Sequence, residues 1–379
     1  MIKINIELVK LALATLIAFF ALALTAGQQI DLENLARGDQ NTSRIEYYDG
    51  LPFTAYNPKD IKSLLDEQET NPSSLIQKSP CFSVLWLGNS QLHYINEYQA
   101  GDHLAPYWLR SLWNKTPCIM PLGCSLPNAD LQEFLVLSRY LTKKSPMHLL
   151  ILELVFDDLR EDAVRSDFSV LLSPDTLKRI RKTSPTAATI LARYKPDTNE
   201  TGSELDEDVL SGTVQRPIER WLNSKLTNAW KLWASRPQIE GNLFLGLYNL
   251  RNYLLRINPS SVRKMISARY DVNMAALKDI LSDYRERKIP VLLYIAPICQ
   301  DKPIPYDPKE YVRWKEELAV LSQQFDAHLV NLETLVPEDQ WGSYYAKDVD
   351  FMHFKGPAHR KVAEALTPYI QNILGASEK

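Results

Sequence analysis

Cysteine is scarce in this chain: Cys81, Cys118, Cys124 and Cys299 are the four among 379 residues. No two are spaced as Cys-x-x-Cys, so zinc-ribbon and thioredoxin-type chemistry have no support. A chain of this length does not need staples; if it is exported, one bridge is permitted and none is demanded. No pairing follows from the sequence. Charge of one sign is lacking too. Lys and Arg number 43 against 46 Asp and Glu, a formal net charge of −3, and without a basic field there is no counterion-release drive toward nucleic acid. Gly-x-Ser-x-Gly, a Walker loop, His-Glu-x-x-His and an EF-hand pattern are all missing. Metal, nucleotide and flavin readings therefore have nothing to stand on, and no cofactor is expected. The 45% apolar content is too high for a disordered chain and suits one large decorated domain or two smaller ones.

One long apolar run is present, Leu11 to Ala26, preceded by Lys3 and Lys10 and followed by Gln28, Gln29, Asp31 and Glu33. Counted from Leu8 to Gly27, with Lys10 snorkelling to the headgroups, it reaches spanning length. The basic flank faces the cytoplasm, so everything after Ala26 is expected outside the inner membrane, periplasmic or at the cell surface. Residues 1–27 are thus read as a retained signal anchor. Cleavage near Ala21-Leu22-Ala23, giving a secreted protein, is the alternative.

Residues 28–78 are polar and broken by Asn-Pro at 57–58 and 71–72, the pattern of a stalk with one short helix from Asp60 to Glu67. Residues 79–379 then alternate. Apolar, β-rich runs at Cys81–Leu87, Pro117–Leu122, His148–Phe156, Ile289–Ile298 and His328–Leu332 read as buried strands. Helical patterns occupy Asp102–Asn114, Asn128–Lys143, Asn273–Lys288, Pro308–Phe325 and Pro357–Leu374. This is an α/β pattern, a parallel sheet covered on both faces in a three-layer sandwich. Between about 160 and 270 no strand candidate appears. That stretch is read as a helical insertion after the third strand, with helices at Pro217–Ser235 and Ile239–Ile257 and an acidic loop at Lys195–Gln215. Trp221, Trp230 and Trp233 within it suit the packing of a helix pair, or an apolar cover.

Open parallel sheets bind ligands beyond the carboxyl ends of their strands. The loops there carry Gly88-Asn89-Ser90-Gln91, Gly123-Cys124-Ser125, Asp157-Asp158-Leu159-Arg160 and Asp348 to Gly356. A serine nucleophile needs a neutral imidazole in reach and a carboxylate that fixes the ring's tautomer. Six histidines are available. His148 and His328 begin strands, at the wrong end of the sheet. His93 and His103 follow Ser90 into the next helix, and His359 opens the closing helix, where it reads as structural. That leaves His353, with Asp350 three residues before it, as base and orienting acid for Ser90; His93 is the alternative base.

These residues resemble the SGNH (GDSL-type) hydrolase superfamily over roughly Cys81–Leu159 and Asn273–Gly375. The first block of that family matches Gly88-Asn89-Ser90, with Asn in place of Asp. The second block matches Gly123, an oxyanion-hole glycine, and the last matches Asp350-x-x-His353. The resemblance implies the sheet order 2-1-3-4-5 and an oxyanion hole from the N–H groups of Ser90 and Gly123. The third block departs, because Asp157 stands where the family places an amide-bearing Asn. A carboxylate cannot donate to an oxyanion. Either burial protonates Asp157, or it turns toward Arg160 or Arg165, or Asn89 or Asn128 supplies the donor. With an N-terminal anchor, the chain is similar to envelope-modifying members, such as the teichoic-acid D-alanylation protein and alginate O-acetyltransferases. Such members act on acyl or acetyl esters of surface polymers, often beside a membrane-bound O-acyltransferase. The expected function is that of an extracytoplasmic serine esterase or O-acyltransferase; the alternative is a catalytically weak binding or assembly protein.

Overall fold

The computed structural model describes residues 46–48, 51–70, 81–143, 147–196, 262–344 and 348–376. The apolar run at 11–26 and the helices expected at 217–235 and 239–257, with their tryptophans, lie outside the described residues. No described helix is long and apolar enough to cross a membrane.

The chain alternates strands and helices. In order these are β1 (Thr54–Ala55), α1 (Pro58–Thr70), β2 (Cys81–Gly88), α2 (Ser90–His93), α3 (Ala105–Leu112), β3 (Cys118–Ser125), α4 (Leu131–Leu141) and β4 (Leu149–Leu154). Then follow α5 (Pro174–Arg181), α6 (Pro185–Ala192), α7 (Ser267–Glu286), β5 (Val291–Ile295), α8 (Pro308–Gln324) and β6 (His328–Asn331). A hairpin of β7 (Trp341–Tyr344) and β8 (Asp348–Phe354) precedes the closing helix α9 (Gly356–Ala376). The main sheet has six parallel strands in the order β1-β3-β2-β4-β5-β6. Its last five are the five expected from the sequence, in the expected 2-1-3-4-5 order.

Side chains alternate across each strand, and both faces are buried. Val84, Trp86, Leu149, Ile151, Leu292 and Tyr294 face α3 and α9, meeting Leu109, Val362 and Leu366. Leu85, Leu87, Leu150, Leu152 and Leu293 face the other way, toward Phe134 of α4, Leu277 of α7 and Leu318 of α8. This is why the strands read as unbroken apolar runs, and it makes the three layers.

Residues expected to be a stalk contribute to this domain. Thr54 and Ala55 pair with Gly123 and Cys124, and Ile61, Leu64 and Leu65 of α1 are buried in the core. β3 runs past Leu122 to Ser125, three residues beyond the expected end, paired with β2 on one side and with the added edge strand at Gly123 and Cys124 on the other. Cys81 and Cys118, opposite each other at the starts of β2 and β3, form a disulfide. Closing a loop of that span is worth on the order of 3–4 kcal/mol by chain entropy. Cys124 and Cys299 are free and buried. The first part of the expected insertion is helical, with two 3-10 turns (Phe156–Arg160 and Ser166–Val170) ahead of α5 and α6.

Candidate active site

Ser90 opens α2 directly beyond the end of β2. Asn89 caps that helix, its Oδ1 accepting the Gln91 N–H at 2.9 Å. The turn depends on Gly88. A Cβ there would lie 2.2 Å from Glu153 Oε2 and 2.9 Å from two Leu92 carbons, so the glycine is required by close approach.

Ser90 Oγ lies 2.8 Å from His353 Nε2, and His353 Nδ1 lies 2.8 Å from Asp350 Oδ2. The last two residues are not on a loop, as the sequence suggested, but on strand β8. In a regular strand, residues three apart face opposite sides of the sheet. Here the pairing of β8 is irregular between Val349 and Phe354, and Asp350 Oδ1 accepts the N–H groups of Met352 and His353 at 2.9 and 3.0 Å. That local turn folds the imidazole back over its own carboxylate.

Burial alone would raise the Asp350 carboxyl. The hydrogen bond and charge of His353, with the two amides, outweigh it, and the net shift is downward. Asp350 therefore stays ionised beside the ring.

Several residues that hold this geometry carried no signal in the sequence. Gln91 is buried, and its Nε2 donates to Pro297 O at 2.9 Å and Met352 O at 2.6 Å, tying the nucleophile's helix to the hairpin bearing His353. Asn96 Nδ2 donates to Asp350 Oδ2 at 3.2 Å. The Tyr94 ring stands 4.7 Å from the His353 ring and walls one side. Each is a single residue on the short helix α2 or in the chain just after it, where no periodicity marks it.

Of the other histidines, His103 lies beside Glu46, its Nδ1 3.0 Å from Oε2, and three more hold structural places. His93 is fully buried and stacks on Tyr56; burial and the nearby His353 drive its pKa down to about 3. His359 is likewise buried, near Tyr94 O at 3.1 Å, its pKa also down to about 3. His148 sits at the amino end of the sheet, its Nδ1 accepting the Ser83 N–H.

Two of the expected oxyanion donors are committed elsewhere, and Asp157 takes one of the courses left open for it. Gly123 does not serve, because its N–H donates to Phe53 O at 2.9 Å inside the lengthened β3. A Cβ on it would meet Pro106 Cγ at 3.0 Å and Thr54 Cγ2 at 3.2 Å, so close packing explains the glycine. The Asn89 amide is committed as well, since Nδ2 donates to both carboxyl oxygens of Asp158 at 3.1 Å. Asp157 is drawn away by cations, pairing with Arg160 at 3.2 Å and with Arg263, whereas Arg165 pairs with Glu133. Beyond β3, the Leu126 and Ala129 N–H groups are bound by Gly88 O and Leu126 O. Asn128, exposed and at φ 51°, has no partner among the described residues. Among the described residues, the Ser90 N–H, at the head of α2, and the Asn128 amide have no recorded hydrogen-bond partner at this edge.

Behind the nucleophile lie two buried acids, Glu153 and Asp158. Desolvation pushes Glu153 up to about 8 and Asp158 well above the usual range, against the hydrogen bonds each receives. Protonated Glu153 is fully compatible with the fold below its unfolded pKa of ~4.3. That contribution is lost progressively as pH climbs to the folded value, at a cost on the order of 3 kcal/mol by pH 7. Glu153→Gln is expected to raise the Tm by several degrees at pH 8 and hardly at all at pH 4; melting curves across that range check it.

No protein-family model and no curated relative matches the sequence. Among solved structures, the chain is similar to a Bacteroides fragilis protein assigned as an acylhydrolase, at 10% identity and a TM-score of 0.37, over 80% of this chain and 96% of that one. It is similar also to the acetylxylan esterase Axe2 of Geobacillus stearothermophilus, at 8% identity and a TM-score of 0.35, over 78% and 94%. Likenesses this faint carry no argument about chemistry, which rests on the geometry of Ser90, His353 and Asp350.

Proposed function

We propose that the protein is a serine ester hydrolase or O-acyltransferase acting outside the cytoplasm on acyl esters, acetyl esters of an envelope polysaccharide foremost. The observation that carries the reading is the unbroken hydrogen-bonded line from Ser90 Oγ through His353 to Asp350. With Nδ1–H donating to Asp350, Nε2 is free to accept the Ser90 proton as Oγ attacks the ester carbonyl. The N–H of Ser90 and the amide of Asn128 receive the oxyanion. His353 then returns the proton to the departing alcohol, leaving an acyl-serine that either water or a glycan hydroxyl resolves. The Cys81–Cys118 disulfide suits an oxidising compartment and, with the apolar run at 11–26, supports an extracytoplasmic domain anchored in the inner membrane. A membrane-bound O-acyltransferase is the fitting partner for the transfer reaction.

One observation favours the second reading, a weakly catalytic binding or assembly protein: Gly123 spends its N–H in the sheet, and loss of one oxyanion donor typically costs ~10²–10³ in rate. A serine-directed fluorophosphonate separates the two. Labelling of the wild type that disappears in Ser90→Ala is the expected result; a folded wild type that resists the probe supports the binding protein.

A further inference from the structure

Asp157, the residue that departs from the expected third block, sits among cations. Its carboxylate accepts from Arg160 Nη1 and Arg263 Nη1, and Arg269 Nη1 donates to the Arg160 carbonyl at 2.5 Å. Two guanidiniums thus share one carboxylate, with Arg269 bound to the neighbouring Arg160 carbonyl. Asp158 is next to them, and burial pushes its carboxyl up, toward the neutral form. An arginine cannot shed its charge, and one carboxylate leaves most of these N–H donors unspent.

The location matters more than the count. Arg263 lies over the Phe351 ring, 5.5 Å from its centroid, and Phe351 stands between Asp350 and His353 in the chain. Asp158, adjoining Asp157, holds Asn89, the residue before Ser90. Arg160 and Arg263 therefore line the rim between the loop after β4 and the hairpin bearing His353. Arg160 and Arg263 are partly open to solvent, at 26% and 33%. A purely structural pair would need one arginine for Asp157; here a second is held beside the hairpin that bears His353, in a chain whose net charge is negative.

We infer that the alcohol half of the ester carries an anionic group, a carboxylate or a phosphate, gripped at this rim by Arg263 and Arg160. The inference rests on the esterase reading and names a substrate class for it. Asp157 then serves to hold the two guanidinium forks in place rather than to meet the oxyanion.

The test compares hydrolysis of 4-acetoxybenzoate, 4-acetoxyphenyl phosphate and the neutral methyl 4-acetoxybenzoate by the full chain. Wild type is expected to prefer at least one anionic ester. Arg263→Gln is expected to lower kcat/KM for that ester about tenfold, mainly through KM, while the methyl ester changes by less than about twofold. Arg263→Lys should restore part of the preference. Which anion loses more tells carboxylate from phosphate. Equal losses on charged and neutral esters, or no anion preference in the wild type, overturn the inference. Calorimetry of 4-hydroxybenzoate and 4-hydroxyphenyl phosphate on the Ser90→Ala protein, with and without Arg263→Gln, needs no turnover. Arginine-dependent binding there upholds the rim even if no ester is cleaved, and that failure would count against the esterase reading alone. No binding of either anion overturns the rim.

Discussion

His353→Ala and Ser90→Ala each abolish turnover, a fall of about 10⁴-fold or more in kcat against an activated acetate ester. The expectation follows from one contact: Oγ of Ser90 has His353 Nε2 at 2.8 Å, and without that acceptor the hydroxyl keeps its proton at neutral pH. The informative control is His93→Ala. That ring is buried against Tyr56 and kept neutral by its surroundings, so its removal is expected to lower the Tm through lost packing and to leave the proposed turnover of the folded protein nearly intact. Steady-state kinetics on variants shown folded by circular dichroism decide the matter. Loss of activity in His93→Ala with retention in His353→Ala would reverse the assignment of the base.

Asp350→Asn lowers kcat by about 10⁴-fold while leaving the fold in place. The carboxylate receives donors on both oxygens, the amides of Met352 and His353 on one, and His353 Nδ1 and Asn96 Nδ2 on the other. An asparagine NH₂ faces a donor whichever way it turns. The economical escape is for His353 to place its proton on Nε2, which makes Nδ1 an acceptor and leaves Nε2 unable to take the Ser90 proton. Because its carboxyl is held below the usual range, Asp350 in the wild type is ionised throughout the working pH range. An activity loss in mild acid therefore belongs to another group, and a pH–rate profile of wild type against Asp350→Asn tests the point.

Much of the architecture was legible before the fold was seen, for a local reason. Strands buried on both faces must be apolar at every position, so Val84 to Leu87 and Leu149 to Leu152 declare themselves whatever surrounds them. The same holds for α8, whose expected span, Pro308–Phe325, differs by one residue from the one observed. The short edge strand β1 had no such mark. Two residues shortly before an Asn-Pro break carry no periodicity, and they become a strand by pairing with the flank of β3. That one pairing also turned Gly123 from an expected loop residue into a packed strand residue with its N–H already spent.

Residue type and order along the chain determined that there is a doubly covered parallel sheet. They also determined that a serine, a histidine and an aspartate leave its carboxyl edge, because burial and chain connectivity act on each segment by itself. Tertiary structure alone decided how those groups are held: which oxygen Gln91 and Asn96 clasp, that Asn89 answers to Asp158, and that Asp157 turns to Arg263, 106 residues further along. Such choices depend on which donor, acceptor or charge arrives from a distant segment. A hydrogen bond is set by distance and angle between the two groups, and no single stretch of sequence carries that information.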